Sequence, residues 1–283
     1  MKVAPSGTCW WCEGRPATTG EHKFKRTDLA RLMGEDDLLL WGSGTDLREV
    51  RGKRGITRDR YGVVKFPKSL CGPCNNHRSQ PFDNAYDLYS TYVSKTWLRI
   101  MPGVDFPETF GSEWEEPALD LARYYGQHFG CRMVRAGVPV PDSLRSFLDG
   151  ATDMPDAHMA LITTDSIHKV YKSGLSISPD FVEADKDLSR LVRYVLAAYV
   201  GSIGVRFEWR EGGIPKRSQF FHFPHPLING FEDQLASSTA ERVAPDGSHR
   251  SFSGPTDHAG SRHGWMPDML MPNVGTATAL PPT

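Results

Sequence analysis

The alternation of apolar and polar positions divides the chain into segments of different period. From residue 86 to 100, Tyr86, Leu88, Tyr89, Val93, Trp97 and Ile100 recur at helical spacing and stop before Pro102, which predicts a helix with an aromatic stripe turned to a core. A second helix is predicted over 117–129, with Leu119, Leu121, Ala122, Tyr125 and Phe129 facing inward. The stretch 106–117 between them mixes Pro, Glu and aromatic residues and reads as a linker or cover loop. From residue 157 the period shortens. Residues 158–164 and 166–172 read as two strands, 175–182 as a third, and 205–210 with 219–223 as a last pair across Gly212-Gly213. The run 186–200 reads as an amphipathic to buried helix. In the first third a short helix is expected over 27–33 and a strand over 61–66. Beyond about residue 231, Ser, Thr, Gly, Pro and Asp take over. That composition predicts a loosely ordered tail, in which Trp265, Met266, Met269 and Met271 form an apolar island able to dock back.

Across all 283 residues, 39% are hydrophobic and 24% charged, which suits a globular protein and excludes a fibrous or wholly disordered one. No apolar run reaches the ~18 residues of a membrane span, and the first residues show no apolar leader, so a cytoplasmic protein without a membrane partner is expected. The net charge of -1 conceals an asymmetry: residues 1–80 carry 15 Lys/Arg against 9 Asp/Glu, whereas residues 81–283 carry 18 against 25. The basic excess is densest over 48–68, where Arg51, Lys53, Arg54 and Arg58 stand close together. Such a face fits a polyphosphate partner, because bound cations release condensed counterions; a solvated hairpin is the other reading.

Four of the five cysteines form two C-x-x-C pairs, Cys9-Trp-Trp-Cys12 and Cys71-Gly-Pro-Cys74. Each pair can wrap one tight turn, and two turns complete a tetrahedral zinc site of four thiolates. A thioredoxin-like redox pair needs only one of them and should open a helix after a strand. The fifth, Cys131, stands alone in an apolar context and reads as a small buried hydrophobe. His222 and His225 read as structural.

Glu21-His22 follows the first pair, and Asn75-Asn76-His77-Arg78-Ser79 follows the second directly. The pattern C-x-x-C…T-x-E-H…C-x-x-C-N, continued by Ser79 and Phe82-Asp83, resembles the zinc-knuckle branch of the HNH endonuclease family over residues 9–90. The sequence departs from the family's E-H-x-x-P by carrying Lys25 in place of Pro, and a 48-residue insert separates His22 from Cys71.

The resemblance implies an N-terminal ββα-metal domain with a structural zinc on Cys9, Cys12, Cys71 and Cys74. It implies His22 as general base, Glu21 and Asn75 as ligands of a catalytic Mg2+ or Mn2+, and His77 as a further site residue. Phosphodiester hydrolysis needs these types: a neutral imidazole takes a proton from water, and a hard divalent ion offsets charge on the phosphate and the leaving oxygen. Arg78 joins Arg51, Lys53, Arg54 and Arg58 as an expected DNA contact, and Asp83 is a weaker candidate ligand.

The expected architecture is α+β. A nuclease domain with its basic insert occupies 1–102, an α+β domain with an antiparallel sheet occupies 103–235, and a Pro/Gly/Ser-rich tail runs over 236–283. The expected partner is DNA, with a homodimer possible, and enzymes of this kind resemble homing, restriction or phage-defence nucleases. The alternative function is non-catalytic nucleic-acid binding by a zinc knuckle.

Overall fold

A computed structural model describes residues 7–28, 38–43, 46–51, 65–96, 103–163, 175–177, 181–186, 191–200, 203–213, 227–229, 232–233 and 268–272. Its helices are α1 (Gln80–Thr96), α2 (Phe106–Phe110), α3 (Glu115–Arg135) and α4 (Asp142–Leu148), with a π-turn at Pro73–Arg78. The second predicted helix is the axis of the molecule. It extends to 21 residues as α3, and its middle is buried on every side, from Ala118 and Leu119 through Leu121–Met133. Glu115 and Glu116 in its first turn and Arg132 and Arg135 in its last complement the helix dipole.

One face of α3 meets the first C-x-x-C turn. The fully buried Trp10 lies against Gly130, where an added Cβ would come within 2.3 Å of the indole ring. Only a residue without a side chain permits this approach. On another face Phe129 packs edge-on to Tyr194, with centroids 4.9 Å apart, and at 4.7 Å from Phe207. Tyr194 and Phe207 belong to the strands β7 (Leu191–Val200) and β8 (Ile203–Arg210). The helix is thus held between the cysteine turns and a sheet. One cluster of buried apolar side chains runs from Cys9 to Trp209, so the boundary expected at 102 does not separate two cores.

The sheet also contains β1 (Leu38–Ser43), β2 (Asp46–Arg51), β4 (Ala157–Thr163), β5 (Leu175–Ile177), β6 (Phe181–Ala184), β10 (Glu232–Asp233) and β11 (Asp268–Pro272). Its order is β10-β4-β8-β7-β5-β11-β1-β2, with β6 also paired to β7. The pairs are antiparallel except β10 with β4. A separate antiparallel pair joins β3 (Gly103–Asp105) to β9 (Leu227–Asn229). The fold is therefore α+β, and the apolar island of the tail docks: Met269 and Met271 lie in β11, between β1 and β5.

Two expectations are corrected. Within the run 186–200, Leu191–Val200 form strand β7, not a helix. Tyr194, Val195, Leu196 and Ala197 are all buried, so both faces of the strand are covered. A strand buried on both faces loses its alternation and imitates a buried helix. The stretch 106–117 is not a linker. Asp105 caps α2 by accepting the Glu108 N–H at 2.9 Å, Pro107 fits the first turn, and α3 begins at Glu115.

Other expectations are met in part: β4 and β8 match predicted strands to within two residues, the one strand predicted over 175–182 is represented by two, β5 and β6, and α1 covers most of the first predicted helix. Residues 29–33, 61–64, 166–172 and 219–223, with His222, His225, Trp265 and Met266, lie outside the described residues. Among the described residues no helix is long and apolar enough to cross a membrane.

Candidate metal centre and adjoining polar site

Both halves of the site hang from one short antiparallel pairing. Thr19 bridges Leu70, and His22 bridges Lys65. Between these bridges the Phe66 N–H donates to the Glu21 carbonyl at 2.8 Å, and the Ser69 N–H donates to the Thr19 carbonyl at 3.0 Å. Gly20 makes this pairing possible: a Cβ there would fall 2.2 Å from the Phe66 carbonyl oxygen. The T-x-E-H motif thus carries a glycine where two backbones touch.

The pairing brings the cysteine turns together. The thiol sulfurs of Cys9, Cys12, Cys71 and Cys74 all lie within 4.8 Å of one another. Cys12 and Cys71 stand 3.8 Å apart, far beyond the ~2.05 Å of a disulfide and equal to the edge, about 3.8 Å, of a tetrahedron of sulfurs around an ion at ~2.3 Å. Four converging soft donors could hold a metal ion such as zinc. Burial pushes the Cys9 and Cys74 thiols up; at Cys71 burial acts the same way but is outweighed by hydrogen bonds from the Cys74 backbone and the thiols of Cys74, Cys9 and Cys12, which draw it down. The Arg78 guanidinium donates to Cys74 Sγ at 3.7 Å, stacks 4.5 Å from the Trp11 ring and pairs with Asp149. It is therefore engaged within the chain. Trp11 is fixed in turn by Phe82 and by donating to Asp149 Oδ1 at 2.6 Å.

On the other side of the pairing lies a polar site. Glu21 Oε1 accepts the His22 backbone N–H at 2.8 Å. The buried Gln127 of α3 donates through one amide nitrogen to Glu21 Oε2 at 3.3 Å and to Asn75 Oδ1 at 3.4 Å. Two oxygens separated by more than fifty residues are thus gathered onto one donor. Burial, and then the negative Asp83, push the Glu21 carboxyl up to about 7, against the His22 N–H, Lys25 and Lys65, which favour its charge. Next to Gln127, His128 points its Nε2 at Glu21 Oε1 from 4.0 Å, and that nitrogen has no hydrogen-bond partner. Burial, and then the neighbouring His22, Lys25 and Arg132, hold His128 down to about 3, so its ring is neutral. A carboxylate and an amide oxygen are the hard donors a divalent cation takes.

Among the described residues, the four cysteines are the one group of three or more His, Cys, Asp or Glu whose ligand atoms lie so close together. His22 is half-buried at the end of the pairing, while His77 is exposed on the π-turn. Asp83 is taken up by Lys25, whose Nζ reaches Asp83 Oδ1 at 2.9 Å and Asp87 Oδ2 at 3.1 Å. Lys25, where the family the sequence resembles carries proline, so ties the segment after His22 to α1. Arg51 lies in β2 opposite Leu38, and Lys53, Arg54 and Arg58 lie outside the described residues. Cys131 is buried on α3, its thiol pushed up to about 12 by burial.

Sequence reading missed Gln127 and His128. The signal was present: Arg123, Gln127, His128 and Arg132 interrupt the otherwise apolar and aromatic stretch 121–133, which has glycines at 126 and 130. Polar residues on a helix buried all round must find partners inside. Comparison of the chain with known protein families, curated proteins and solved structures finds no match.

Proposed function

We propose that the protein is a metal-dependent endonuclease of HNH type that hydrolyses phosphodiester bonds in DNA. The observation that carries this reading is the meeting of Glu21 and Asn75, one from each motif, on the amide of Gln127, beside His22 and next to four converging thiols. Zinc on the four cysteines would be structural, locking the strand pairing to the π-turn that carries Asn75.

His22 is assigned the general base: its neutral imidazole takes the proton of the attacking water. Glu21 and Asn75 would hold a Mg2+ or Mn2+ ion, which when bound supplies positive charge for the phosphate and the leaving 3′-oxygen. Gln127 keeps the two oxygens together, and the backbone N–H of His22 orients the carboxylate. The basic segment 48–68 supplies cations for the phosphate backbone.

Plasmid cleavage with Mg2+ or Mn2+ tests the assignment. Wild type should nick or linearise the substrate, while His22→Ala should bind DNA equally well and cut at least about a hundredfold more slowly, the usual value of a general base. A wild-type protein that binds DNA and never cuts it would leave the non-catalytic zinc-knuckle binder as the better reading.

A further inference from the structure

We propose that His128 is a third protein ligand of the divalent ion held by Glu21 and Asn75, delivered by the central helix α3 and not by the cysteine turns. The assignment rests on the nuclease reading above and deepens it.

Nε2 of His128 is a buried nitrogen without a hydrogen-bond partner, on a residue only 6% exposed. Buried polar atoms are paired in nearly all folded proteins, so an orphan aimed at a carboxylate calls for a partner. Its 4.0 Å separation from Glu21 Oε1 is too long for a hydrogen bond. It lies inside the roughly 4.2 Å that two ligands can span across one ion at about 2.1 Å from each. The ring cannot swing freely: it stands edge-on to Phe66 at 5.8 Å and lies against Tyr124 at 4.5 Å. Phe66 is also the residue whose N–H bonds the Glu21 carbonyl, so ring and carboxylate are referred to the same strand pairing. The preceding residue, Gln127, already ties Glu21 to Asn75. A single turn of α3 therefore carries both the group that orients the oxygens and the nitrogen that joins them. An imidazole added to two oxygens also tilts the site from Mg2+ and Ca2+ toward Mn2+ and later transition ions.

The test is Mn2+ bound to the zinc-loaded protein, followed by pulsed EPR and by titration calorimetry. A directly coordinated imidazole nitrogen should appear in the wild type, persist in His22→Ala and disappear in His128→Gln. Mn2+ affinity should fall about tenfold or more in His128→Gln with zinc content unchanged. Should His128→Gln fail to fold, the His22→Ala spectrum still decides, because the nitrogen must survive there. Loss of the nitrogen signal in His22→Ala, or Mn2+ binding that depends on Glu21 but shows no nitrogen, overturns the His128 assignment alone. A folded, zinc-loaded wild type that takes up no Mn2+ overturns both this assignment and the nuclease reading.

Discussion

The thiol cluster and the Glu21 site hang from the same two segments, yet they are completed in opposite ways. Each cysteine turn supplies two of four like ligands, and the pairing of residues 19–22 with 65–70 needs only to bring the turns together. The polar site takes Glu21 and Asn75 from those segments but is closed by Gln127 and flanked by His128, more than a hundred residues beyond Glu21. The first is local chemistry set by spacing. The second is a tertiary product that exists only because α3 runs between the cysteine turns and the sheet. The difference teaches that a metal-binding signature can be written in two short motifs, while the setting that gives a neighbouring carboxylate its properties is written elsewhere.

The comparison breaks most severely at the cysteines. Cys71→Ser should leave the chain without zinc and largely unfolded, because ion binding and folding are the same free energy, about 10–16 kcal/mol in small zinc domains. Elemental analysis with far-UV circular dichroism reads both; a zinc-free variant with native structure and melting temperature would contradict it.

Gly20→Ala should cost about 3 kcal/mol, since the new methyl meets a backbone carbonyl with no room to move. Urea unfolding measures the loss, and the variant should lose Mn2+ binding before it loses zinc.

A similar magnitude with opposite sign is expected at Glu21. Its carboxyl is raised from 4.5 to about 7 in the folded protein, so the native state binds the extra proton and stability falls as pH rises through that window. Glu21→Gln, in protein stripped of divalent ions but not of zinc, should therefore be more stable at pH 8 by up to about 3 kcal/mol and should lose the slope between pH 4.5 and 7. Thermal unfolding across that range checks it.

The smallest effect should come from Lys25→Met, a change of about 1 kcal/mol or less in a partly exposed ion pair that leaves the thiol cluster and the proposed second metal site in place.

Much of the thiol cluster was legible because C-x-x-C spacing confines two ligands to one turn whatever surrounds it. Helices α1 and α3 and strands β4, β5, β6 and β8 were legible from their period, whereas α4 and strands β1–β3 and β9–β11 were not read from it. Strand β7 was not, because Tyr194 to Ala197 are covered on both faces and carry no alternation. The start of α2 was overlooked because a five-residue helix has almost no period, although Asp105, Pro107 and Glu108 form a recognisable beginning. Gln127 and His128 escaped because their polarity inside an apolar stretch marks them as buried and partnered but does not say by what: their partners come from Gly130, which lets Trp10 seat the cysteine turn on α3 and so brings Glu21 over the helix.

Anomalous diffraction from crystals grown with zinc and Mn2+, recorded at both absorption edges, tests the account most directly. It should place zinc among the sulfurs of Cys9, Cys12, Cys71 and Cys74 and manganese among Glu21 Oε1, Asn75 Oδ1 and His128 Nε2. A manganese peak away from Glu21, or no second peak beside an occupied zinc site, would contradict it.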